Sequence, residues 1–148
     1  MSLALFLHLL SAVIWVGGMF FAYMCLRPAA GLLDPPARLS LWAGTFERFF
    51  VWVWIAVVLL AATGYWMLAK LGGFGSVGIY VHIMHALGIA MILVFLHVYF
   101  APYRRLRGSV AAGDFPLAAK HLNQIRILVA VNLSLGLLVL VTVRLFRS

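Results

Sequence analysis

Of the 148 residues, 66% are hydrophobic and only 9% are charged, whereas a soluble domain carries about 25% charged residues. So much apolar surface has to face lipid, and one compact bundle uses up the length. The net charge of +8 does not mark a nucleic-acid binder, because the basic residues sit between apolar runs and form no basic helix or aromatic-interleaved patch. The single cysteine, Cys25, excludes an internal disulfide framework and a CxxCH covalent haem attachment.

A membrane-spanning helix needs about 20 mostly apolar residues, and four stretches qualify: residues 3–26, 49–69, 77–101 and 125–145. The expected fold is all-α, an integral membrane four-helix bundle, with residues 1–148 as one domain. No basic residue precedes the first apolar run, so Met1–Gly18 is not read as a cleaved signal peptide. Arg27-Pro28 is expected to end the first helix. Asp34-Pro35-Pro36 reads as an N-cap with proline in the first turn. It opens an amphipathic stretch through Arg38, Leu41, Trp42 and Phe46, which either lies at the interface or runs straight into the uncharged second span. Gly72-Gly73-Phe74-Gly75 reads as a turn. Asp114-Phe115-Pro116 reads as a further cap before the fourth span, whose bracketing arginines, Arg126 and Arg144, are long enough to snorkel to the interfaces.

The first and third connections with their flanks hold Arg27, Arg38, Arg48, Arg104, Arg105, Arg107, Lys120 and Arg126; the other side holds Lys70, Arg144 and Arg147. Basic connections stay cytoplasmic. Both termini are therefore expected on the outer side of an inner membrane, periplasmic in a Gram-negative cell.

Ionisable side chains within a bilayer are costly and usually face a bundle interior, a cavity or a cofactor. His8, His82, His85 and His97 all fall inside expected spans. The first and third spans run in the same direction, and at a rise of about 1.5 Å per residue His8 and the pair His82/His85 lie at matching depth near the outer leaflet. Two facing imidazoles are what axial ligation of a haem iron requires. His8 and His85 are the expected ligands; His82, three positions from His85 on the same face, is the alternative ligand or a propionate partner. On the first helix, His8, Ser11, Ala12, Trp15, Gly18 and Ala22 recur at three- and four-residue spacing, a face of small residues and one indole that admits a flat macrocycle or another helix. Trp15 and Gly18 are the expected cofactor-shaping residues. His97, about 18 Å further along the third helix than His85, is the candidate for a second metal or haem site at the inner leaflet. His121 reads as a solvated loop residue, and Asn132 and Ser134 as hydrogen-bonding groups between helices.

Other apparent motifs carry no chemistry. Gly73 to Gly78 fits GxGxxG, but no strand precedes it. Asp34, Glu47 and Asp114 are the only acids, so carboxylate catalysis has nothing to use, and no Ser–His–Asp constellation exists.

The run from His8 through Ser11, Trp15, Gly17 and Gly18 to Phe21 resembles the first helix of the CopD-like membrane proteins and is similar to that of the HemJ-type protoporphyrinogen oxidases. Phe46-Glu47-Arg48, Tyr80-Val81-His82-Ile83-Met84, His97-Val98-Tyr99 and Asn123-Gln124-Ile125-Arg126 resemble later HemJ motifs. That resemblance implies a four-helix core holding haem b, with His8 as a ligand. Where the family has a third-helix lysine, this chain has Met84, with His85 beside it. The CopD-like resemblance implies copper uptake.

The first functional reading is a membrane haem b protein, bis-histidine ligated between helices 1 and 3. It would act in electron transfer or as an oxidoreductase with a membrane-soluble quinone or porphyrin. The alternative is a copper uptake or resistance protein, in which the soft ligands Met19, Met24, Cys25, Met84 and Met91 accompany the histidines. A blander third reading is a structural subunit whose histidines only pack. The small-residue pairs Gly18/Ala22 and Ala86/Ala90 are compatible with a homodimer and equally with packing inside one chain.

Overall fold

A computed structural model describes residues 1–147. Every regular element among them is helical. Four continuous helices, α1 (Ser2–Ala30), α2 (Pro35–Lys70), α3 (Ile79–Ala111) and α4 (Phe115–Phe146), are each long and apolar enough to cross a membrane. The protein is a multi-pass, all-α membrane protein. Short connections make sequential helices antiparallel. Both termini and the α2–α3 turn thus share one end of the bundle, here the termini end, and the basic connections share the other, the loop end.

All four helices outrun the spans expected from hydropathy, and two of them do so through proline. Arg27-Pro28 does not end α1. The segment Ala22–Leu26 is a π-turn in which the Arg27 N–H reaches back five residues to the Ala22 carbonyl. The Tyr23 carbonyl then has no backbone donor, since Pro28 carries no N–H, and the Arg27 side chain supplies one, Nε to O at 3.2 Å. The helix continues to Ala30. Pro102 sits in a second π-turn, Tyr99–Tyr103, through which α3 runs on to Ala111. A π-turn absorbs the extra residue that a proline ring would otherwise push against the preceding turn.

The amphipathic stretch from Pro35 runs directly into the second span as one 36-residue helix. Asp34 holds the N-cap position without a side-chain cap bond. Asp114 does cap α4, accepting from Leu117 N at 3.2 Å. The α2–α3 turn is dictated by glycine. Gly73 N bonds to Leu68 O and Gly72 N to Ala69 O, the 6→1 and 5→2 pair that closes a helix when the next residue is left-handed. Gly72 and Gly73 take φ of 91° and 84°.

α1 packs along α2 and α3 along α4, while α4 also touches α1 and α2. At mid-depth and towards the loop end the two pairs are joined by aromatic rings. Phe95 of α3 meets Trp15, Phe50 and Trp54 edge-on at centroid distances of 6.2, 5.6 and 5.1 Å. Tyr103 meets Phe50 at 4.9 Å and Phe46 at 6.4 Å. Such pairs contribute about 0.5–1.5 kcal/mol each beyond burial, and in lipid this packing, not the hydrophobic effect, holds helices together. Asn132 hydrogen-bonds across to α3 as expected, Nδ2 to the Met91 carbonyl at 3.3 Å. Ser134 does not cross: it bonds within its own helix to Ala130 O. Nor is His121 a solvated loop residue. α4 starts at Phe115, so His121 lies inside it, buried, with Nδ1 3.4 Å from Gln124 Oε1.

Candidate metal or cofactor cavity

At the termini end the α1/α2 and α3/α4 pairs diverge around a cavity of about 950 Å³. His8, Ala12, Trp15 and Val16 of α1 form one wall, Gly64 and Tyr65 of α2 flank it, and Met84, His85, Gly88 and Met91 of α3 face it. Arg144 and Arg147 of α4 sit at the rim. Buried Trp15 lines the cavity at its mid-depth floor and joins it to the aromatic cluster through its edge-on contact with Phe95.

His8 is seated by α2. Its Nδ1 lies 3.0 Å from Thr63 Oγ1, and the Thr63 hydroxyl itself donates to the Leu59 carbonyl. A hydroxyl has one proton, so Thr63 can only accept from His8. The N–H therefore sits on Nδ1, and Nε2 keeps a free lone pair. A histidine whose second ring nitrogen is pinned in this way is the usual form of a metal ligand. Gly64 gives the ring room: a Cβ there would stand 3.3 Å from His8 Cε1.

His85 lines the same cavity from α3, its Nε2 2.8 Å from the Tyr65 hydroxyl and its ring edge-on to Phe74 at 5.0 Å. The cavity thus brings together His8, His85 and Trp15 from the sequence-derived set. It does not include the other three. His82 is exposed and lies against Phe74 at 5.5 Å. Gly18 meets the Phe49 ring, so its missing Cβ serves the α1–α2 contact. His97 is exposed near the other end of α3, and among the described residues no group of three or more His, Cys, Asp or Glu side chains is placed to hold a metal. Of the soft side chains, Met84 and Met91 line the cavity, Met19 is buried elsewhere in the core, and Met24 and Cys25 are exposed.

Sequence reasoning missed two groups. Thr63 and Tyr65, which hold the two histidines, are the only hydroxyl side chains in the uncharged second span; counting their depth from the span's end puts them level with His8. By sequence Arg144 and Arg147 signal topology and an interface anchor, although their end of α4 is also the His8 and His85 end.

A model of the copper resistance protein D family, CopD, matches residues 43–146. No curated protein and no solved structure matches the chain. The matched stretch contains most of α2 and the whole of α3 and α4, hence Thr63, Tyr65, His85 and both methionines of the cavity, while His8 lies before it. With more than two thirds of its length covered, this chain belongs to the copper resistance protein D family.

Proposed function

We propose that this chain, acting as one domain with its termini and cavity on the outer side of an inner membrane, handles copper and takes it as cargo through the cavity between α1 and α3. Family membership supports copper. The observation that carries the reading is the donor set: the imidazoles of His8 and His85 and the thioethers of Met84 and Met91 line one cavity. Imidazole and thioether together suit Cu(I), and among the described residues no carboxylate, which would suit harder ions, lines the cavity. Met84 and Met91 are seven positions apart on one face of α3, about 10 Å along the axis, so the soft donors extend from the His85 level towards the floor.

A second reading has its own support. A volume of about 950 Å³ is at the upper end of the roughly 300–1,000 Å³ of small-molecule and cofactor pockets and far exceeds the needs of a bare ion. The walls are mostly apolar, two imidazoles line them from different helices, and Arg144 and Arg147, which line the same cavity, could pair with propionates. These residues would suit haem b, which His8 and His85 would hold. Bound haem would supply one-electron chemistry towards a quinone or porphyrin, in line with the resemblance to the HemJ-type proteins.

The absorption spectrum and metal content of the detergent-purified protein separate the two. The copper reading expects a colourless protein that binds Cu(I) stoichiometrically and loses it in His8→Ala and His85→Ala. A Soret band that moves on dithionite reduction and vanishes in His8→Ala replaces copper with haem. A protein that binds neither refutes both.

A further inference from the structure

At the loop end, away from the cavity, Arg27 of α1 and Arg126 of α4 line one groove of about 400 Å³. Arg27 is held in place: Nε donates to the Tyr23 carbonyl that the π-turn frees, and its guanidinium lies 4.3 Å from the centroid of the Tyr23 ring. Among the described residues its remaining N–H donors have no hydrogen-bond partner. Arg126 is exposed, and among the described residues neither guanidinium is paired with a carboxylate. Two uncompensated guanidiniums lining one groove at a membrane interface suit an anion, and their planar donors match phosphate oxygens.

The rest of the groove says what that anion is attached to. From Arg126 it continues along one face of α4 over Ile127, Ala130 and Val131 to Ser134. At about 1.5 Å per residue that is about 12 Å from the interface towards mid-membrane. Ile127 and Val131 are exposed, and Ala130 leaves the strip shallow. A free phosphate would use the arginines and leave this strip bare; a lipid uses both.

We propose that this groove binds one anionic phospholipid, its phosphodiester between Arg27 and Arg126 and one acyl chain along Ile127, Ala130 and Val131. The test titrates delipidated full-length protein in neutral detergent with phosphatidylglycerol, phosphatidylcholine or inorganic phosphate and counts bound molecules by native mass spectrometry. One phosphatidylglycerol should bind in clear preference to phosphatidylcholine. Arg27→Gln/Arg126→Gln should weaken it by about thirtyfold, whereas Arg105→Gln/Lys120→Gln, which removes two exposed charges elsewhere at the loop end, should leave it unchanged. Ala130→Phe keeps both arginines and should also weaken binding by filling the strip. Equal binding of the two lipids, equal loss in the control variant, wild-type binding by Ala130→Phe, or displacement by millimolar phosphate would each overturn the proposal.

Discussion

Tyr65 of α2 and His85 of α3 are joined across the cavity by a hydrogen bond of 2.8 Å between the phenol oxygen and Nε2. The α2 and α3 helices otherwise make little contact at this end, so the bond links the two diverging helix pairs while occupying one ring nitrogen of His85. A ligand that takes Nε2 has to break it. Tyr65→Phe removes that competition. With a net value of about 1 kcal/mol for such a bond, the variant should bind Cu(I) about fivefold more tightly in a competition titration with a chromogenic chelator. Weaker binding would instead make the phenol part of the metal site.

Thr63 acts on His8 in the opposite sense. Thr63→Val keeps the side-chain shape but removes the acceptor that pins the Nδ1 proton. The ring can then turn and exchange tautomers, and metal affinity should fall by about 10–100-fold, the usual cost of losing such a partner. Thr63→Ser, which restores the hydroxyl, should recover most of it. Affinity unchanged in Thr63→Val would take His8 out of the ligand set.

Arg144 and Arg147 give the two functional readings opposite signs. Two guanidiniums at the cavity rim repel a copper cation and attract carboxylates. Under the copper reading, Arg144→Gln/Arg147→Gln should accelerate metal loading, most visibly at low ionic strength where screening is weak. Under the haem reading the same variant should lose cofactor on dilution. Stopped-flow loading of Cu(I) and the retained Soret absorbance measure the two outcomes directly.

Two glycines separate packing from ligand binding. A Cβ at Gly18 would collide with the Phe49 ring, so Gly18→Ala should cost about 1–3 kcal/mol of stability and lower the melting temperature in detergent, with Cu(I) affinity intact. Gly64→Ala places a methyl 3.3 Å from His8 Cε1 and should show the reverse split, with affinity reduced and the melting temperature nearly unchanged. Parallel losses in both variants would mean that the α1–α2 contact and the site cannot be separated.

Sequence alone determined the class of this protein and the level at which its chemistry lies. Four apolar runs with charge confined to their edges admit only membrane helices, because unpaired backbone groups are too costly in lipid. A fixed rise per residue then places His8 and His85 at one depth before any coordinates exist. Glycine pairs and Asp114 marked the turns correctly because their chemistry is local. Tertiary structure alone decided which way the side chains face. Depth follows from counting residues, but rotation about a helix axis is set by neighbouring helices, and in nearly uniform apolar helices the sequence pattern scarcely encodes it. His82 and His85 are equivalent by count; only packing turns His85 inward and leaves His82 against Phe74. The same holds for Gly18, which faces Phe49 and not the cavity, and for Thr63, whose bond to His8 spans 55 positions. The extensions through Pro28 and Pro102 likewise depended on π-turns, in which a shifted backbone bond offsets the missing N–H.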